Sequence, residues 1–359
     1  MTEVHKLADR FVNKFVEWTW RTNERIIYYP LGFPFEKQIT ERIRSVSKVN
    51  HIETPFLLDP HGHTINSDGS HTVGYDAFWS IERRGISIGI TDHDTVGHFP
   101  YCKNAQMKFG DKYNRLVIPG VELTATAKLE NDMVGISHLV VLYPSYEPTK
   151  ELLKSIERTK EVKRNFISDI LSNGKKNAFP IEEAVENLRD QAVIEIPHAW
   201  SRDGARSRLP YLLDKNPDAC VEIWNPRSKL TFPKGIPDYV IKHGHMVSAS
   251  DSHFKTTRGD ALTVFEKNDT IGHNGKPSLE KVLELMRRGE TIPYLVPLNS
   301  YARSTDMFRF LHLPRDVMMG IEYFDDAYRK LPRSMAKILN GKESDIVEDG
   351  KLLKELEEK

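Results

Sequence analysis

The chain has 359 residues, with 51 lysines and arginines set against 51 aspartates and glutamates and a formal net charge of zero. That balance gives no support for a dedicated nucleic-acid or membrane surface, and Cys102 and Cys220 are too few and too far apart for a disulfide framework or a thiolate zinc site. No stretch has the apolar length of a signal-peptide core or a membrane span, so a soluble, cytoplasmic protein of one large domain or two modest ones is expected.

Residues 1–54 read as a helical extension. Leu7, Phe11, Phe15, Val16 and Trp18 fall on helical spacing, and a second helix is expected over Gln38 to Val49 after the Pro30 to Pro34 break. No chemistry is visible there, and a helical cap or an oligomer contact is the simplest use. The chemistry starts at Phe56-Leu57-Leu58, an apolar run that stops at Asp59-Pro60-His61-Gly62-His63. Alternate residues of an extended chain share a face, so His61 and His63 point the same way and offer a pair of metal ligands. The turn-like Thr64 to Gly69 can fold Asp68 back over the same point. Tyr75 to Arg84 has helical spacing and is closed by Gly85. A second strand, Ile86 to Ile90, then ends in Thr91-Asp92-His93-Asp94.

The theme repeats along the chain. Leu116 to Val121 ends at Glu122, Ser137 to Leu142 contains His138, Ala192 to Pro197 ends at His198, Ala219 to Trp224 ends at Asn225, and Met246 to Ser250 ends at Asp251-Ser252-His253. That makes seven short strands, most of them closed by a polar cluster, with helical sequence between many of them. Such alternation argues for a parallel sheet, and in closed barrels the reacting groups gather at the strands' C-terminal ends. Residues 143–191 read as two helices, the first stopped by Gly174 and the second running from Pro180 to about Leu188. Gly259 to Phe265 reads as a small extra strand, followed by a helix from Ser278 to Arg288. Residues 266–359 as a whole are expected to be a mostly helical extension packed on a barrel that spans 55–265.

The clusters bring together His61, His63, Asp68, His93, Glu122, His138, His198, Asp251 and His253. Nine such groups exceed what one ion needs, so two or three divalent ions (zinc, manganese or iron) are expected. His138 is the odd member, because it lies at the start of its strand, where the other ligands lie at strand ends. The pattern Asp59-x-His61-x-His63-Thr64-x-x-Ser67-Asp68-Gly69, followed by Thr91-Asp92-His93-Asp94-Thr95, resembles the opening of the PHP (polymerase and histidinol phosphatase) family. The resemblance spans residues 55–260 and implies a distorted seven-stranded α/β barrel of the TIM-like kind. It also implies that His61, His63, Glu122 and Asp251 hold a first ion, that Glu122 bridges to a second held by His138 and His198, and that Asp68, His93 and His253 serve a third. Asp68 stands where some relatives carry histidine.

Water bridging two dications loses a proton near neutral pH, and the ions neutralise charge building on a phosphoryl group, so hydrolysis of a small phosphate monoester of nucleotide or sugar type is the expected reaction. Glu122 and Asp251 are the expected catalytic residues, Asp251 orienting the water or accepting its proton. Asp59 and Asp92 are expected to fix ligand imidazoles, and Asp94 to cap a helix. Among the segment Ser201 to Arg208, Arg202, Arg206 and Arg208 are candidates to grip phosphate, with Arg258 and Lys255 behind them. His71 and Trp200 depart from the family's motifs, and Trp200 is a candidate to stack on a base or sugar. A C–N hydrolase with a related His-x-His barrel site and an inactive metal-binding scaffold are the alternatives. Against the first stand the Ser-Asp-Gly and Thr-Asp-His-Asp motifs and the lack of a carbamylated-lysine strand, and against the second stands the full ligand set. The sequence leaves the oligomeric state open.

Overall fold

The computed structural model describes residues 55–69, 72–128, 134–171, 179–201, 204–225, 236–253 and 258–295, with residues 356 and 358. The expected helices of 1–54, together with His71, Arg202, Lys255 and nearly all of 296–359, lie outside the described residues.

All seven expected strands are present: β1 (Pro55–Asp59), β2 (Ser87–Ile90), β3 (Val117–Lys128), β4 (Val134–Leu142), β5 (Val193–Ile196), β6 (Cys220–Trp224) and β7 (Met246–Ser248). Two more follow, β8 (Ala261–Glu266), the anticipated extra strand, and β9 (Ile292–Leu295). The count among the described residues is therefore nine, in the order β7-β6-β5-β4-β3-β2-β1-β8-β9. Strands β1, β2 and β3 are parallel, as are β5, β6 and β7, while β4 runs antiparallel to both β3 and β5, and β8 antiparallel to both β1 and β9.

The sheet nearly closes on itself. Beyond the C-terminal ends of β1 and β7, Gly62 and Ser252 form a parallel bridge, with His63 N–H donating to the Ser252 carbonyl at 2.8 Å. At the other end β8 fills the gap, where the Thr263 hydroxyl donates to the Ser248 carbonyl at 2.9 Å and accepts from Ser248 N–H at 3.1 Å. The result is a mixed α/β, TIM-like barrel.

Strand alternation divides the core. Phe56 and Leu58, Ile118, Val140 and Leu142, Val193, Cys220, Val247 and Phe265 face inward and form one apolar cluster. Residues of the opposite parity, such as Val121, Leu123, Leu139, Val141, Ile194 and Val221, pack outward against helices. Helices α1 (Val73–Ala77, continuing as a π-helical turn over Phe78–Arg83) and α2 (Phe99–Ala105) follow β1 and β2. Then come α3 (Lys150–Leu171), α4 (Ile181–Leu188), α5 (Leu209–Lys215), α6 (Asp238–His243) and α7 (Leu279–Arg287). In α7 the N-cap hydroxyl of Ser278 accepts from Lys281 N–H. Its buried face of Val282, Leu283, Leu285 and Met286 joins the inward cluster, each side chain contributing about 1.5–3 kcal/mol by leaving water. The apolar cluster thus fills the end of the barrel that carries the strands' N-termini, leaving the opposite end for polar groups. Among the described residues no helix is long and apolar enough to cross a membrane.

Candidate metal centre

The inward parity that buries Ile118 also brings Glu122 inside, and the parity of Val140 and Leu142 does the same for His138. Because β4 is antiparallel, its N-terminal half lies at the C-terminal end of β3: Glu122 pairs with Val140, and Thr124 with His138. The unusual position of His138 along its strand is therefore what places it beside the other groups.

Four donor atoms face one another above the apolar cluster. His61 Nε2 and His63 Nε2 are 3.2 Å apart, Glu122 Oε2 lies 3.3 and 3.1 Å from them, and Asp251 Oδ1 lies 3.7 and 3.2 Å from them. Bonds of about 2.0–2.1 Å in a tetrahedron put ligand atoms about 3.3 Å apart, so these five separations match one small cation. The other oxygen of Glu122, Oε1, lies 2.8 Å from His138 Nδ1 and 3.2 Å from His198 Nε2. A third group comprises His63, Asp68, His93 and His253, with His253 Nε2 2.7 Å from Asp68 Oδ2. His93 also belongs with Glu122 and His138, its Nδ1 being 3.3 Å from Glu122 Oε2 but out of hydrogen-bond geometry. All nine candidate ligands are thus brought together, and the donor set fits divalent cations. His63 Nδ1, buried without a hydrogen-bond partner, faces Asp68 Oδ1 at 3.6 Å.

Several imidazoles are fixed at the ring nitrogen that faces away from the centre. His198 Nδ1 meets the Ser201 hydroxyl at 2.9 Å, His253 Nδ1 meets the Asp251 carbonyl at 2.9 Å, and His61 Nδ1 faces Glu222 Oε2 at 3.5 Å. With Nδ1–H donating, Nε2 keeps its lone pair for a cation. Without a cation, the carboxylates and imidazoles of the site set one another's charge. Burial disfavours charged imidazoles, yet Glu122 and Asp251 raise His61 well above its usual value, and Asp68, Asp251 and Glu122 push His63 up to about 9. For His93 burial wins, lowering it to about 4. Burial would raise Glu122 and Asp68, but the surrounding imidazoles hold both well below the usual carboxylate range. His198 and Asp251 sit at φ values of 30° and 48°, left-handed backbone that costs a non-glycine residue about 1–3 kcal/mol and concentrates at functional sites.

The carboxylates beside the ligands work differently from expectation. Asp59 touches no imidazole; it accepts from Ser250 N–H and hydroxyl at 3.0 and 2.6 Å and from Gly259 N–H at 2.7 Å, fixing the segment that carries Asp251. Asp92 accepts from Thr64 N–H and hydroxyl and from Ser67, and the imidazole it meets is that of His98, 3.3 Å away, and not of His93. Asp94 is no helix cap. It accepts from Thr124 N–H and hydroxyl, and the next helix begins at Phe99 with His98 at its N-cap.

The expected arginines also move. Arg258 is fully buried, its Nε and Nη2 donating to Asp76 and Nη2 also to the Gly89 carbonyl, so it is an internal strut and not a substrate grip. A Cβ on Gly62 would meet its Nη1 at 1.9 Å, which is why glycine separates the two histidines. Arg208 is paired with Glu182 and lies over the Tyr211 ring. Arg206 donates Nε to the Ser201 carbonyl at 2.8 Å. Trp200 packs against the outer core, away from the role of an open stacking platform.

Two buried acids not singled out by the sequence lie next to the site. Glu195 and Glu222 face inward beneath His61, both fully buried, and the three form a further group of donor atoms within reach of one another. Burial, then Glu222, pushes Glu195 up to about 8, and burial raises Glu222 against the pull of His61. The signal was a lone acid inside each apolar strand, in Val193-Ile194-Glu195-Ile196 and Val221-Glu222-Ile223.

No family model matches the chain, and no curated protein does. Solved structures similar to it include a candidate metal-dependent phosphoesterase from Bifidobacterium adolescentis, at 17% identity and TM-score 0.41, over 64% of this chain and 96% of that one. A two-domain protein from Bacteroides vulgatus containing a predicted PHP-like metal-dependent phosphoesterase matches at 16% and 0.45, over 68% of this chain and 65% of that one, just under two thirds of its length. An amidohydrolase from Chromobacterium violaceum with bound sulfate and no metal matches at 15% and 0.40, over 55% and 87%. The solved structures similar to this chain thus include PHP-like metal-dependent phosphoesterases, at low identity and over part of its length.

Proposed function

We propose that the chain is a metal-dependent phosphoesterase acting on a small phosphate monoester of nucleotide or sugar type. The observation that carries this is the division of Glu122 between two donor groups, Oε2 toward His61 and His63, Oε1 toward His138 and His198. His61, His63, Glu122 and Asp251 would hold one ion and Glu122, His138 and His198 a second, with Asp68, His93 and His253 suited to a third. Bound dications supply an activated water and charge neutralisation at a phosphoryl group. Asp251, whose Oδ1 lies 3.2 Å from His63 Nε2, would orient that water or take its proton. Of the two described arginines on the loop after His198, Arg206 donates its Nε to the Ser201 carbonyl while Arg208 is paired with Glu182, so Arg206 is the better candidate to meet phosphate oxygens.

The test is metal content of the purified protein together with phosphate release from a panel of nucleotide and sugar monophosphates, with amides alongside. Two or more ions per chain and turnover of a phosphate ester support the proposal. Amide turnover alone would make it a C–N hydrolase, bound metal with no turnover would make it a scaffold, and absence of metal binding would refute the ligand set.

A further inference from the structure

Beneath the donor atoms lies a second layer of the barrel interior that the proposed reaction does not use. Glu222, on β6, faces inward with no solvent exposure. Its Oε2 faces His61 Nδ1 at 3.5 Å and accepts the backbone N–H of His198 at 3.1 Å. One oxygen on one strand therefore touches a candidate ligand from beyond β1 and the backbone of another from beyond β5. Glu195, on the neighbouring strand β5, is equally buried, but neither of its oxygens has a hydrogen-bond partner.

We propose that Glu222 is a positioning residue for the metal centre: a buried acceptor that holds His61 with Nε2 toward the ions and ties it to the His198 segment, while Glu195 takes no part in holding either. The inference rests on the reading that these clusters bind divalent ions. An imidazole can offer Nε2 to a cation and stay neutral only if its proton sits on Nδ1, and a proton buried there needs an acceptor. Glu222 supplies that acceptor. His198 sits at φ 30°, and its N–H bond to the same oxygen helps keep that backbone in place. Because His61 serves the first group of donors and His198 the second, losing the acceptor should weaken both together. A cation held directly by Glu195, Glu222 and His61 is the competing use of the same atoms. It would require His61 to give up its last ring proton while serving two dications at once.

The experiment is manganese and zinc titration of the full chain, following ion affinity and stoichiometry, with thermal unfolding of the chelator-treated protein as the folding control. Glu222→Leu should lower affinity about 10–100-fold, the usual effect of removing such a partner. Glu222→Gln, which keeps an acceptor oxygen, should lose much less, and Glu195→Gln should bind as the unchanged chain does. Should Glu222→Leu not fold, Glu222→Gln decides: a measurable loss that Glu195→Gln does not share supports the role. Wild-type affinity in Glu222→Leu, or equal affinity in the two glutamine variants, overturns it, and loss of one ion per chain in Glu195→Gln overturns it in favour of the direct cation site. If the unchanged chain binds no ion at all, the phosphoesterase reading fails first and takes this one with it.

Discussion

Asp92 accepts both the backbone N–H and the hydroxyl of Thr64, each at 2.6 Å. The same double acceptance joins Asp94 to Thr124, at 2.7 and 2.8 Å, and Asp59 to Ser250, at 3.0 and 2.6 Å. Each hydroxyl residue lies within two positions of a candidate ligand, since Thr64 follows His63, Ser250 precedes Asp251 and Thr124 is two residues past Glu122. Three carboxylates, one at the end of β1 and two just past the end of β2, thus hold the backbone that carries the centre.

Asp92→Ala should destabilise the fold by about 3 kcal/mol, because Thr64 N–H, the Thr64 hydroxyl and the Ser67 hydroxyl lose a charged acceptor in a buried place. Asp92→Asn, keeping one acceptor oxygen, should lose about half as much. Denaturant midpoints read both values. Unchanged midpoints would mean that the bonds to Thr64 do not hold this segment.

The strands were legible because each is a short β-branched run closed by a polar cluster, and the amphipathic α4 and α7 were legible from their spacing. Direction was not, since periodicity fixes which face a residue takes but not whether a strand runs with or against its neighbours. That is why His138 looked misplaced until β4 proved antiparallel. Strand β9 escaped because Pro293 interrupts a four-residue run, a pattern that suits a strand at the end of a sheet order. The roles found for Asp59 and Asp92 differ from those expected because adjacency in sequence is not adjacency in space. Neighbours in extended chain face opposite ways, so Asp92 turns from His93 and reaches Thr64 on another segment.

Arg258→Met should cost about 3–5 kcal/mol, since it strands the buried Asp76 carboxylate. Gly62→Ala should also destabilise, its Cβ running into a guanidinium that Asp76 holds in place. Both effects would appear in unfolding midpoints. A substrate-gripping Arg258 would give the opposite pattern, with KM for the phosphate ester raised and stability intact.

The chelator-treated protein should lose stability as pH rises from about 6.5 to 9. His63, raised from 6.5 to about 9, favours the folded chain fully below its unfolded value, and that contribution fades as pH climbs through 9. Glu195, raised from 4.5 to about 8, acts in the same direction, because the unfolded chain releases this proton earlier. His93, lowered to about 4, opposes folding only as pH falls below 6.5. Metal affinity should move the other way and grow with pH, as His63 must surrender its proton to become a ligand. Urea titrations at stepped pH, with and without manganese, test both slopes. A stability that stays flat or rises over this range in the metal-free chain would contradict the charge arrangement.

His138→Ala should remove one ion per chain and leave the ion held by His61 and His63. His138 Nδ1 is 2.8 Å from Glu122 Oε1, on the side of that carboxylate away from His61 and His63, so the first donor group keeps all four atoms. Its side chain is partly exposed at the open end of the barrel, and deleting it opens no void in the apolar core. Losing one of two charges at a reacting phosphoryl group removes about 3 kcal/mol of transition-state stabilisation, or about a hundredfold in kcat. His98→Ala provides the contrast, because His98 is buried and its Nε2 bonds the Gly120 carbonyl at 2.8 Å, so its loss should lower the unfolding midpoint and leave the ion count alone. Equal ion counts in the unchanged chain and His138→Ala would take His138 out of the centre and leave its place on β4 a matter of packing.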